Sequence, residues 1–231
     1  MKILEKSEIL VLGDSHTGVF SHPSAMLDGY RFRVMTVSGA TISGLKNPNS
    51  ATQARPIFEK AIHSYKGKIL ITLLGEVDTG FVIWYRAKKH NYNVQEILDQ
   101  TVSRYIEFIQ KIPLDKHVIV IGAPLPTIQD GQDWGEIANA RKDVTASQLE
   151  RTELTIQLNQ RMKSYAKESG VLFIDLDAES LGDDGLVNQE LLSSNRTDHH
   201  YDKVSYINIL KPKLARCVEQ ISAGNVAPRR A

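Results

Sequence analysis

At 231 residues the chain is long enough for one α/β domain with a sizeable core and short for two; its 42% hydrophobic and 24% charged residues exclude a disordered or fibrous chain. The balance of 28 Lys plus Arg against 27 Asp plus Glu gives nucleic acid no electrostatic footing, and no apolar run nears the roughly 18 residues of a membrane span, so neither is an expected partner. A single cysteine, Cys217, permits no intrachain disulfide, and residues 1–8 lack the long apolar stretch of a secretory signal, which together point to a reducing, cytoplasmic setting.

Residues 9–12, Ile-Leu-Val-Leu, have the continuous apolar character of a parallel strand covered on both faces, and they stop at Gly13-Asp14-Ser15. The loop leaving a parallel strand of an open α/β sheet emerges at the carboxyl edge, where such sheets bind ligands. Residues 18–29 read as a loop with a helical turn near Pro23. A second strand spans about 32–37 and ends in Ser38-Gly39, where glycine lets a backbone N–H approach a ligand closely. Residues 53–65 carry a helical pattern with Ile57, Phe58, Ala61 and Ile62 on one face.

A third strand, 68–74, ends in Gly75-Glu76-Val77-Asp78, two acids that either cap the next segment or face a pocket. The apolar and then basic stretch 81–86 fits neither period. Helix spacing returns over 94–112, followed by a strand at 116–121 and a proline-bearing loop. The polar stretch 129–143, with Trp134, is long enough to be a lid. A helix over 148–169 ends at Gly170, a fifth strand takes 171–174, and a helix over 205–222 is expected to kink at Pro212. The short basic tail, 223–231, is expected to be mobile.

Five strands alternating with helices imply a parallel sheet covered on both faces, within one domain over 1–222. The strand ends carry the chemistry. A serine at such an edge becomes a nucleophile if an imidazole removes its proton and backbone donors hold the oxyanion. Thr197-Asp198-His199-His200-Tyr201 offers an acid beside two imidazoles, and a Ser-His-Asp set is recognised by geometry rather than chain order. There is no Gly-rich phosphate loop, and no metal ligand set or cofactor motif is apparent.

In this order and spacing the segments resemble the SGNH (GDSL-like) hydrolase superfamily from about Glu8 to Ser222: Gly13-Asp14-Ser15 matches the first block, Gly39 the second, Gly75-Glu76-Val77-Asp78 the third and Asp198-His199-His200-Tyr201 the last. The third block also looks like that of a subgroup reading Gly-Glu-Ile-Asp-Cys-Arg, with Thr79-Gly80 in place of Cys-Arg. The resemblance implies a flavodoxin-like three-layer α/β/α fold with strand order 2-1-3-4-5 and metal-free ester hydrolysis. It implies that Ser15 attacks, His200 is the base, Asp198 orients it, and the Ser15 and Gly39 N–H groups form the oxyanion hole. Asp14, His16, Glu76, Asp78 and His199 are then candidate substrate-binding residues, with a small polar ester such as an acylated carbohydrate as the expected partner.

Two departures accompany the resemblance. Val77 stands where the family places an asparagine donor, and Asp198 precedes His200 by two residues rather than three, which keeps His199 open as the base. A binding protein that has kept the fold and lost the chemistry is the alternative they suggest.

Overall fold

The computed structural model describes residues 6–131, 146–195 and 197–229. Five strands, β1 (Ser7–Gly13), β2 (Tyr30–Thr36), β3 (Ile69–Leu73), β4 (His117–Ile121) and β5 (Leu172–Ile174), form one sheet. Every pairing is parallel and the order is β2-β1-β3-β4-β5, the expected topology.

The period of two along each strand divides the core into two layers. Leu10, Leu12, Leu70, Val118 and Val120 point to one face, where α1 (Ala54–Ser64), α3 (Val94–Gln110) and α4 (Gln148–Ser169) supply Phe58, Tyr105, Ile109, Leu154 and Leu158. Ile9, Val11, Ile71, Ile119 and Ile121 point to the other, covered by Tyr206, Ile207, Leu210 and Leu214 of α5 (Lys203–Ser222). Fully burying one such side chain contributes about 1.5–3 kcal/mol, so each layer is a large driving force.

The helix ends obey local chemistry. Ser147 and Glu150 form a reciprocal capping box at the start of α4, and Gly170, at φ +73°, ends it in the left-handed conformation that glycine tolerates best. Asp202 caps α5 through the Ser205 N–H, and the helix starts two residues before the expected position. It continues through Pro212 as one element.

Three sequence expectations change. The ambiguous stretch 81–86 falls on a π-helical turn, Asp78–Val82, that leads into α2 (Ile83–His90). Its Ile83 N–H reaches back five residues to the Asp78 carbonyl, and the extra residue breaks the 3.6-residue apolar period. The loop at 18–29 is largely two 3₁₀ turns, Ser15–Ser21 and Pro23–Ala25. The tail is not loose up to Arg229: that side chain is buried and donates to the carbonyls of Ile109, at 2.7 Å, and Pro113. The expected lid at 129–143 lies outside the described residues apart from Gln129, Asp130 and Gly131. No helix among the described residues is long and apolar enough to cross a membrane.

Candidate active site

The strand exits at the carboxyl edge are held by contacts that little else could replace. Gly13 is the last residue of β1, and a Cβ there would lie 2.0 Å from the Leu73 carbonyl oxygen and 2.7 Å from Thr17 Cγ2. Glycine is therefore required by the approach of β1 to β3, and it delivers Asp14-Ser15-His16 directly above the sheet. Gly75, at φ +125°, does the same after β3, where a Cβ would press on Leu158 and Ala123.

Asp14 is buried at 1% exposure, and its Oδ1 accepts from both the backbone N–H and the ring Nδ1 of His16, each at 2.9 Å. This caps the 3₁₀ turn Ser15–Ser21 and fixes the imidazole. Asp198 does the same across the site: its Oδ1 accepts from the His200 N–H at 3.0 Å and from Nδ1 at 2.6 Å. The spacing of two residues thus suffices to pair acid and imidazole, because one carboxylate oxygen receives both donors in an Asx-type turn.

Burial works to raise the Asp198 carboxyl. The hydrogen bonds from His200, with the charges of His200 and His199, outweigh it and hold the group below the usual carboxylate range. Nε2 of His200 is buried and has no hydrogen-bond partner among the described residues.

The two imidazole units meet. The His200 and His16 rings meet in a T-shaped arrangement, with centroids 4.8 Å apart and planes at 61°, and His199 sits 4.1 Å from His200 and 6.2 Å from His16. His200 thereby packs on the residue that adjoins Ser15. The loop bearing it is tied to the β4 exit: Thr127 Oγ1 donates to the His199 carbonyl at 2.6 Å, and the Leu125 N–H donates to the Tyr201 hydroxyl at 2.7 Å. Asn159 of α4 in turn receives the Ala123 N–H and donates to the Ala123 carbonyl, so three elements fix one loop.

The N–H groups of Ser15 and Gly39 have no hydrogen-bond acceptor among the described residues. Gly39 takes φ +69° on an exposed turn. Val77 contributes no polar side chain.

Asp78 is not at the cleft surface. It is wholly buried, and its two oxygens accept from the N–H groups of Ile42, at 2.7 Å, and Ser43, at 3.0 Å. It therefore caps the 3₁₀ turn Ser43–Lys46 from a distance and ties the third-block segment to the loop carrying Gly39. Burial, the largest influence, pushes its carboxyl up to about 6 against the lowering by those donors. Asp14 and Asp78 are both buried and hydrogen-bonded within the protein. His16 and Glu76 are also buried, at 5% and 3%, whereas Ser15 and His199 are partly exposed.

Among the described residues, Asp198, His199 and His200 are the only three acid, cysteine or histidine side chains whose ligand atoms lie within 4.8 Å of one another. Asp198 and His200 are already bonded to each other, so the geometry of the trio is that of an acid–imidazole pair with a neighbour.

No family model matches the sequence, and a search of curated proteins finds no match. Solved structures do match. A GDSL-like lipase from Bacteroides thetaiotaomicron superposes with a TM-score of 0.64 at 16% identity, covering 96% of this chain and 91% of its own. A carbohydrate acetylesterase from Sinorhizobium meliloti gives 0.61 at 15% identity, over 94% and 100%. The chain has the SGNH hydrolase fold. An aryl esterase from M. smegmatis gives 0.58 at 16% identity, over 93% and 99%, so the likeness spans both chains nearly whole. In this SGNH-type framework the sequence signals for Ser15, Gly39 and Asp198-His200 all fall at the carboxyl edge of the sheet. The signal that sequence reasoning missed is the pairing of Asp14 with His16, although Asp-x-His occurs in both segments.

Proposed function

We propose that the protein is a serine esterase that cleaves a short acyl group from a small polar substrate, an acylated carbohydrate being the leading class. One observation carries this reading: a carboxylate-held imidazole, with Nε2 unpartnered among the described residues, packs against the residue that adjoins a serine at the carboxyl edge of the sheet. Likeness to esterases and lipases of the same fold supports it, and the carbohydrate acetylesterase among them supports the substrate class.

Ser15 Oγ attacks the acyl carbon while His200 Nε2 takes its proton. Asp198 holds the ring by Nδ1 and stabilises the imidazolium. The Ser15 and Gly39 N–H groups receive the carbonyl oxygen as it becomes an oxyanion, each donor being worth about 10²- to 10³-fold in turnover. His200 returns the proton to the alcohol that leaves, and a water activated by the same nitrogen releases the acid and restores Ser15.

A noncatalytic binding role is the second reading. Val77 offers no third oxyanion donor, and Ser15 Oγ makes no hydrogen bond to His200 among the described residues. Catalytic hydrogen bonds often tighten only with substrate bound. Intact mass after exposure to a fluorophosphonate decides between the two. A single adduct that is absent from Ser15→Ala and slowed in His200→Ala supports the esterase; a folded native protein that takes up no probe overturns it.

A further inference from the structure

The pair Asp14–His16 repeats the geometry of Asp198–His200. In each, one carboxylate oxygen accepts the backbone N–H and the ring Nδ1 of the residue two positions on, at 2.9 and 2.9 Å in the first and 3.0 and 2.6 Å in the second. Capping the turn Ser15–Ser21 needs only the backbone bond, which Ser, Thr or Asn at position 14 would supply without burying a charge. Removing a carboxylate from water costs several kcal/mol unless it is paired, so the imidazole of His16 is the partner that makes Asp14 tolerable at 1% exposure. The buried pair then packs the His16 ring against the ring of His200.

We propose that His16, held by Asp14, is a positioning residue for His200; the catalytic consequence rests on reading His200 as the base for Ser15. His200 Nε2 has no hydrogen bond of its own among the described residues. Its ring plane is therefore set by Asp198 at Nδ1 and by packing, and His16 is a packing surface contributed by the nucleophile's own turn. Any movement of β1 carries Ser15 and this surface together, which keeps base and nucleophile in register.

The contact also places the two rings close enough to interact electrostatically. The titratable groups that contact His200 include Asp198 and His199 on its own loop and His16 from the β1 exit, and His16 is in turn bonded to Asp14. The two carboxylates favour the imidazolium, and the two imidazoles, when charged, oppose it. Replacing His16 changes that balance at His200.

The test is an NMR titration of the imidazoles in native protein and in His16→Gln, alongside fluorophosphonate labelling of both at pH 6 and pH 8. In His16→Gln, the His200 titration curve is expected to move, and labelling to slow by about 10²-fold, the loss typical of a misplaced catalytic group, by factors that differ between pH 6 and pH 8. A His200 curve that superimposes on the native one, or labelling slowed equally at both pH values, overturns the proposal, since a merely structural role would produce that pattern. If His16→Gln does not fold, the native protein carries the test through its own curves. Coupled titration of His16 and His200, each inflecting where the other titrates, supports the contact, and two independent single-site curves overturn it. Native protein that shows the coupling yet takes up no probe retains the positioning and loses only the esterase reading.

Discussion

Asp78 has no exposure, so its effect on the protein depends on the balance between its lost hydration and the two N–H groups it receives. Its carboxyl sits at about 6 rather than the ordinary 3.8, because burial outweighs those donors. A folded-state value above the unfolded one means that the folded chain binds more protons between about pH 4 and 6, so this residue's contribution to stability is lost as pH rises through that window. Denaturant unfolding of native protein and Asp78→Asn from pH 4 to 7 is expected to show the native stability falling relative to the variant by a few kcal/mol. A pH-independent difference would mean that Asp78 ionises as readily in the fold as outside it. The same residue shows what the sequence conceals at this scale. Gly-Glu-Val-Asp marks a strand end, but only the fold reveals that Asp78 turns inward to Ile42 and Ser43 while Ser15 and His199 remain partly exposed.

At the scale of elements, the strands and most helices are legible from apolar spacing because each strand is covered on both faces and each helix presents one apolar stripe. That spacing misleads where a single inserted residue shifts the phase, as in the π turn Asp78–Val82, whose Thr79 carbonyl is taken up by the Trp84 ring N–H at 2.7 Å. It is silent where pairing is tertiary, as between His16 and His200. Two substitutions test the elements that deliver the site. Gly13→Ala places a methyl 2.0 Å from a backbone oxygen, with no flexible side chain to give way, and is expected to cost about 3 kcal/mol or more, or to prevent folding. Expression and thermal unfolding measure it. Tyr201→Phe leaves the buried Leu125 N–H without its acceptor, which costs about 1–3 kcal/mol, and loosens the strap on the His200 loop. Its midpoint in urea should fall, with Ser15 labelling slowed beyond what the fraction unfolded explains; labelling unchanged in the folded fraction would separate the strap from the chemistry.

Across the whole molecule the sheet has two edges with different tasks. The carboxyl edge gathers the loops that carry Ser15, Gly39, Glu76 and His200, whereas the amino edge is partly closed by the end of the chain. There Pro228 and Ala227 lie over Gly170, whose added Cβ would come within 2.7 Å of the Pro228 oxygen, and the Arg229 guanidinium donates to Ile109 and Pro113 near the end of α3. The basic composition of 223–231 suggested a mobile tail because composition cannot show that orphan carbonyls at a helix end await a cation. Burial lowers the proton affinity of Arg229, so part of its hydrogen-bond energy offsets lost hydration. Arg229→Ala is therefore expected to cost about 1–2 kcal/mol, seen as a lower unfolding midpoint and faster amide exchange in the last turn of α3. Because that contact lies on the edge opposite Ser15, the rate of fluorophosphonate labelling should stay at the native value. A large fall in labelling with the fold intact would mean that the two edges are coupled through the sheet.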